Sequence, residues 1–558
     1  MKNHRTSKEG NSRRTFLKTI GIAMGATSYG SSISIARNAN GLDWKRPGGW
    51  IAPRAGPSRT GVTDQNGPTP YAVTDWRIDL DGSMYDTDPV VADETLYLSV
   101  TTNNTPGEYG GYIGAYDAET GDEQWKRPDL PAPKTPAIDD QTIYFSTQVP
   151  ETPDSDDIGF HALDADSGDT VWNRTDHNHW SHPIVTENKI YTSNRDATFA
   201  LHRETGDTIW KAGGVSGFSD DVGDALSYTD GTLFVSDGTA LDAEDGSTKW
   251  AVSSDECTLG NPAVHNGMIY YTQTEHIVGD DDRVKVQARS AETGEVEWVH
   301  REDGNAWDGR PAITENHVLF VNSSDGESIV TALDSTTGET VWATMIRGTS
   351  FSSPVVGNGT VYLGGQYVPE SDPSAGRALI HALDDATGDQ LWSYLLGSSG
   401  LETSPEDPPA AGAPVVADGK MYVATYPAGS TLDYQYVYYS NFFVLDSCAV
   451  QPDEDHRLPE EDESDCGDDA PDLEACIEAI SDVDWSDLNA GDVIQLIASC
   501  STRSDLRYEW DIDGDGRYEE TGSTVSVTVP TFDSMTVGLR VTDSNGDTDT
   551  TSVSVSPN

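Results

Sequence analysis

The stretch Ala115 to Trp125 reads AYDAETGDEQW. Its spaced pattern, A-x-D-x-x-[T/S]-G-x-x-x-W, returns as ALDADSGDTVW (162–172), ALHRETGDTIW (200–210), ALDAEDGSTKW (240–250), ARSAETGEVEW (288–298), ALDSTTGETVW (332–342) and ALDDATGDQLW (382–392). Seven copies at one spacing make a repeat, and the period of a repeat decides the fold before any single residue does. In each copy an apolar strand runs into Ala, a turn of the Asp-x-x-Thr-Gly type follows, with His202 or Ser290 for the Asp in two copies and Ser167 or Asp245 for the Thr in two others, and a short strand ends in Trp. Gly supplies positive φ at the turn, and the Asp or Thr side chains bond the turn's own amides.

A second module precedes these copies, as in PVVADETLYL (89–98), PAIDDQTIYF (136–145), PIVTENKIYT (183–192), PAVHNGMIYY (262–271), PAITENHVLF (311–320), PVVGNGTVYL (354–363) and PVVADGKMYV (414–423). Two apolar, β-branched or aromatic strands around a tight polar turn make a hairpin. One repeat is therefore four short strands in about 38–50 residues, the period of a propeller blade. Trp125, Trp172, Trp210, Trp250, Trp298, Trp342 and Trp392 end seven complete repeats. The eighth begins with PVVADGKMYV, reaches NFFVLD (441–446) and never arrives at a Trp, while VTDWRIDL (73–80) is an orphan outer strand carrying Trp76. The gap and the orphan complete each other. The expected fold is all-β, an eight-bladed β-propeller over 71–446 closed by its N-terminal strand, which removes the free edges of an open array.

The eleven-residue pattern resembles the tryptophan-docking motif of quinoprotein dehydrogenases and of the wider PQQ-like propeller repeat family (PQQ, pyrroloquinoline quinone), over roughly residues 45–446. The resemblance implies that each blade's Trp packs on the next blade. It implies less about chemistry, because many members bind no quinone. The family's alcohol dehydrogenases carry a vicinal Cys-Cys disulfide, a calcium beside the quinone and an Asp base, often on insertions. This chain has no adjacent cysteines and little sequence between repeats, and no Asp can be carried over as the base. Nor is there a phosphate-binding Gly loop, a nucleophile elbow or a His-Glu-x-x-His helix. The sequence thus favours a binding or scaffolding protein without catalytic residues or cofactor. The alternative is a dehydrogenase that oxidises alcohols or sugars with PQQ and calcium.

Composition narrows the setting. The 558 residues carry 94 Asp and Glu against 34 Lys and Arg, only 11 of them Lys, for a formal net charge of −60. Such a surface resembles that of salt-loving archaeal proteins, where screening blunts self-repulsion, and it is a poor general binder of nucleic acid. Ser12-Arg13-Arg14-Thr15-Phe16-Leu17-Lys18 resembles the twin-arginine export motif, and Ser34-x-Ala36 offers a cleavage site, so 1–36 reads as a signal peptide. The expected mature protein lies outside the cell or on its surface, with no membrane-spanning segment. Residues 37–70, with WIAPRAGPSRTG at 50–61, read as a lead-in strap across the propeller's edge, the alternative being a plug or ligand contact.

After Asp446 the composition changes. QPDEDHRLPEEDESDCGDDAPD (451–472) has few apolar residues and many like charges, so 447–480 reads as a solvated acidic linker. It leads to alternating strands over 481–557, where YEWDIDGDG (508–516) and VTDSNG (541–546) resemble PKD domains, small immunoglobulin-like sandwiches of surface proteins, with Trp510 in the core. Cys448, Cys466, Cys476 and Cys500 suggest two disulfides in one of three pairings, and Cys257 is left as a packed thiol.

A functional face follows from the blade. The uniform Asp-Gly and Thr-Gly turns share one rim, whereas the variable second-to-third-strand loops and blade connectors share the other, where binding is usually built. The connectors offer Asp86 and Asp88, His177, His179, Trp180 and His182, Asp221 and Asp224, and Trp307, Asp308 and Arg310. A protein or small polar ligand at this mouth would meet Trp180, Trp307 and Arg310. His177, His179 and His182 are a candidate metal set. Asp511-x-Asp513-x-Asp515-Gly516 matches half of a calcium loop but has Gly522 where a bidentate Glu is required, leaving Glu519 or Glu520 to help.

Overall fold

The computed structural model describes residues 49–84, 87–103, 109–147, 158–177, 179–216, 225–252, 260–275, 283–304, 309–324, 327–350, 352–369, 371–397, 408–427, 440–459, 475–479, 488–491, 493–498, 506–514, 516–531, 534–542 and 548–557. The signal peptide, Asp86, Asp221, Asp224, Trp307, Asp308, Asp515, Cys257, Cys466 and Cys500 lie outside the described residues.

Eight antiparallel sheets follow one another as blades. Blade 1 is Val90–Ala92, Thr95–Asn103, Gly110–Asp117 and Glu123–Arg127. Blades 2 to 7 span 137–174, 184–213, 226–251, 263–303, 312–346 and 355–395. Blade 8 takes Val415–Ala417, Lys420–Pro427 and Asn441–Cys448 from one end of the ring and Tyr71–Asp79 from the other, with Trp76 opposite Val444 and Ile78 opposite Phe442. The N-terminal strand therefore joins the last blade's sheet, as the orphan Trp76 predicts.

The repeat motif explains how blades lock. Its Trp indole donates to a carbonyl in the next blade's turn, as in Trp125 Nε1 to Ala165 O (2.8 Å), Trp172 to Arg203 O (2.9 Å) and Trp342 to Asp385 O (2.9 Å). The turn glycine lies flat on that ring with positive φ. A Cβ on Gly168 would stand 2.7 Å from Trp125, so only glycine fits. Gly121 of blade 1 meets Trp76 of blade 8 in the same way, closing the ring. Blade 8 has no such turn because the chain is divided there, and Trp392 of blade 7 donates instead to Pro68 O (3.1 Å) in the lead-in. Each outer strand bulges at the residue before its Trp, among them Val171, Val341 and Leu391. The bulge turns the indole inward and leaves its neighbour outside.

The lead-in overturns one expectation. It does not cross the propeller's edge but fills its axis. Trp50 exchanges backbone bonds with Val91 of blade 1, and Ile51 O accepts from Ile138 of blade 2. Pro57 O, Ser58 O, Thr60 O and Gly61 O accept from Tyr228, Val264, Ile313 and Val356 of blades 4, 5, 6 and 7, at 2.8 to 3.0 Å. Val62–Thr63 then adds a parallel innermost strand to blade 7. The cause is general: the innermost strand of every blade turns an unpaired backbone edge to the axis, and buried edges need partners.

The linker brings a second correction. Its first part is not solvated chain. The turn Glu454–His456 lies against blade 7, with the His456 ring stacked on Tyr394 at 4.8 Å and 4°. His456 Nδ1 is 2.7 Å from Leu395 O, Arg377 donates to Asp455 O, and Arg347 Nη1 donates to Pro459 O at 2.8 Å. Beyond it, Glu478–Ala479, Val493–Ile497 and Thr524–Thr528 form one sheet of a small sandwich. Arg507–Asp511, Glu520–Thr521, Met535–Thr542 and Thr548–Val555 form the other. Trp510 is fully buried between them and donates to Gly522 O at 2.8 Å. Cys476 is disulfide-bonded but Cys448 is a free thiol, so the expected two disulfides among four cysteines do not form.

Candidate functional site

The axial lead-in carries two buried charges. Arg54 and Arg59 are each only 2% exposed. Arg59 donates to Pro53 O (2.8 Å), to Pro183 O of blade 3 (2.9 Å) and, through Nε, to Leu226 O of blade 4 (3.4 Å). Arg54 Nη2 donates to Pro311 O of blade 6 at 2.7 Å, and Gly61 lies under its guanidinium, where a Cβ would be 2.1 Å from Nη2. Inner-strand carbonyls point at the axis from many sides, and a guanidinium answers several at once. Arg54, Ala55 and Arg59 also hold positive φ, a conformation non-glycine residues keep only where surroundings over-determine it. The space between this segment and blades 2 and 3, lined by Ile51, Pro57, Arg59 and Ile184, has room for about one water.

Hydroxyls pin the connectors above the axis. Ser99 Oγ donates to Lys134 O (3.0 Å), Ser146 Oγ to Trp180 O (3.1 Å) and Ser323 Oγ to Ser350 O (3.0 Å), each from a blade's second strand to the next connector. Asp88 N donates to Thr135 Oγ1 and Arg310 N to Ser353 Oγ, both at 2.9 Å. Asp88 and Arg310, both half-buried, therefore sit on a braced rim.

Two expected site groups dissolve. Trp180 is 3% exposed, wedged between Phe160 of blade 2 (6.0 Å) and Phe199 of blade 3 (5.1 Å), with Nε1 donating to His177 O. It is interblade packing, not a ligand platform. His179 and His182 are buried as well, while His177 leans on Trp180 and stands 3.6 Å from Asp176. The three imidazoles do not gather as metal ligands: among the described residues only Asp511, Asp513 and Glu519 bring three such ligand atoms within 4.8 Å. Burial works against the charge on Asp176, but Arg174, bidentate at 2.6 and 2.7 Å, holds its pKa below the usual carboxylate range.

In the sandwich Asp511, Asp513 and Glu519 each bring a carboxylate oxygen within 4.8 Å of the others. Asp511 already accepts from Gly514 N (2.8 Å) and Gly516 N (2.9 Å), so its carboxylate shapes the turn. A quinone fits the axis poorly. Among the described residues, the lead-in is bonded to the blades at the level of the inner strands, and guanidinium takes the carbonyls of Pro183 and Pro311.

The family described as outer membrane protein assembly factor BamB matches residues 74–174, 134–212, 195–367 and 326–436. The chain belongs to this family of PQQ-like propeller repeat proteins. It is similar in fold to quinohemoprotein alcohol dehydrogenase from Comamonas testosteroni, at 13% identity over 73% of this chain and 82% of that one (TM-score 0.48). A europium-containing methanol dehydrogenase is also similar, at 13% over 72% and 99% (TM-score 0.49), as is BamB from Moraxella catarrhalis, at 17% over 69% and 100% (TM-score 0.45). No curated protein matches the chain. At these identities the likenesses concern the fold alone.

Proposed function

We propose that this protein is an exported, high-salt-adapted propeller that binds a protein or small polar partner at the cell surface, presenting its connector face. The observation that carries the reading is the axis: the chain's own residues 50–63 fill it and bond to the inner strands, so the ring serves as a rigid platform with its variable loops on one side. The twin-arginine motif and the net charge of −60 support export and a salty medium. The PKD-like sequence of the sandwich supports a surface role as spacer or adhesion module.

A pull-down from cell surfaces in molar salt tests this, comparing the intact protein with Arg310→Ala on the connector rim. A partner whose capture weakens in the variant supports the reading. Dye-linked oxidation of alcohols or sugars after adding PQQ and calcium would replace it with the dehydrogenase.

A further inference from the structure

We propose that the outer strand of blade 6, Thr340–Ile346, is the seat onto which the C-terminal sandwich closes, and that salt governs the closure. Both ends of this strand already hold downstream chain. At one end Thr340 O, on the unpaired edge, accepts from Gln495 Nε2 of the sandwich at 3.0 Å. Past the other end Arg347 donates to Pro459 O at 2.8 Å, and His381 Nε2, 2.9 Å from Arg347 O, steadies that residue from blade 7. A seven-residue strand is about 23 Å long, so the two anchors lie along one edge rather than at one point.

The surfaces beside the first anchor are apolar and open. Val341 is 42% and Met345 45% exposed on the strand, and Val493, which shares its strand face with Gln495, is 58% exposed on the sandwich. Exposed outer strands with apolar side chains invite pairing with other chains, and proteins usually cover them. The sandwich is the occupant because its Gln495 is already bonded there. Tether length does not force the contact: the chain from 460 to 477 can span up to about 60 Å.

Like charge opposes packing the two faces more closely than this one bond. Residues 475–557 carry 16 Asp and Glu against 4 Arg, and the ring is acidic too. Like charges repel over a Debye length of about 10 Å in 0.1 M salt but only about 3 Å in 1 M. Closure should therefore tighten as salt rises, whether or not the protein binds a partner on its connector face.

The test is cross-linking in the full chain. In a Cys448→Ser background, Val341→Cys with Val493→Cys is treated with a short bis-maleimide at potassium chloride from 0.1 to 2 M, and the linked peptides are quantified by mass spectrometry. The expected result is a several-fold rise in yield with salt, reduced by adding Met345→Asp. Val171→Cys on blade 2, a bulge residue even more exposed than Val341, should not link to Val493→Cys. Equal linking to both blades, or a yield indifferent to salt, would overturn the proposal. Hydrogen exchange of 340–346 in the unaltered chain is the second measurement. Protection that grows with salt beyond that of the blade 2 outer strand supports closure, and equal change in both strands rejects it.

Discussion

Residues 50–63 and 452–459 are both short segments outside the repeat that return to the ring, one inside it and one on its flank. The inner segment bonds through its backbone to six blades and reaches blade 3 through the buried guanidinium of Arg59. The outer segment rests on the His456–Tyr394 stack and on bonds from Arg347 and Arg377, beside residues that water can reach. Arginine donates to carbonyls in both places. Removing it at the axis strands several buried acceptors, whereas on the flank water can take its place.

The largest expected effect tests that difference directly. Arg59→Ala should cost about 3–5 kcal/mol of stability, because the buried Pro53, Pro183 and Leu226 carbonyls together lose the bonds of one guanidinium. Arg377→Ala should cost only about 1 kcal/mol. Denaturant melts of both variants in molar salt check this, and equal losses would break the comparison.

Next in size is acid sensitivity beside the outer anchor. Burial pushes the pKa of His381 down to about 4, from an ordinary value of 6.5. The neutral form is the folded one, so its contribution is complete above pH 6.5 and is lost as pH falls toward 4, by up to about 3 kcal/mol. Stability measured across that range should fall less steeply in His381→Gln than in the unaltered protein.

A smaller effect concerns access to the outer segment. Proteolysis of the intact protein should spare 449–459 and cut beyond Pro459. His456→Ala, costing about 1 kcal/mol, should open 449–459 to cleavage within the same digestion time. Cutting there in both proteins alike would show that the stack holds nothing.

The smallest effect runs opposite in pH. His317 of blade 6 is 3.0 Å from Asp385 in blade 7's turn, and that hydrogen bond raises its pKa despite burial. Stability from this pair is complete below the ordinary histidine pKa and is lost as pH rises through the raised value, by about 1 kcal/mol or less. His317→Ala should remove that alkaline loss and leave the acid loss at His381 intact. The turn rim has related links at Lys189–Glu244 and at Lys420, which joins Asp75 and Glu119 across the closing seam.

The candidate site was less legible than the ring. His177, His179, Trp180 and His182 share one connector in the sequence, but periodicity says nothing of which way an irregular connector turns. Phe160 and Phe199, on strands from two blades, claim Trp180 for the core. Glu519 was one of two candidates until the turn around Asp511 brought its carboxylate within reach. The one available sign that Arg54 and Arg59 are buried was the small residues around them in PRAGPSRTG, which leave room for guanidiniums but do not aim them.

By itself the sequence determined the blade, the number of blades and the partner of the orphan strand. Each follows from local pattern: alternation writes the strands, Thr-Gly writes the turn, and an indole needs a glycine to lie on. Trp76 without a hairpin and NFFVLD without a Trp have one consistent pairing. The tertiary structure decided what fills the centre and what covers the flank. Those outcomes depend on where backbone edges from seven blades converge and on which exposed strand a passing segment meets, and neither is a property of any local stretch of chain.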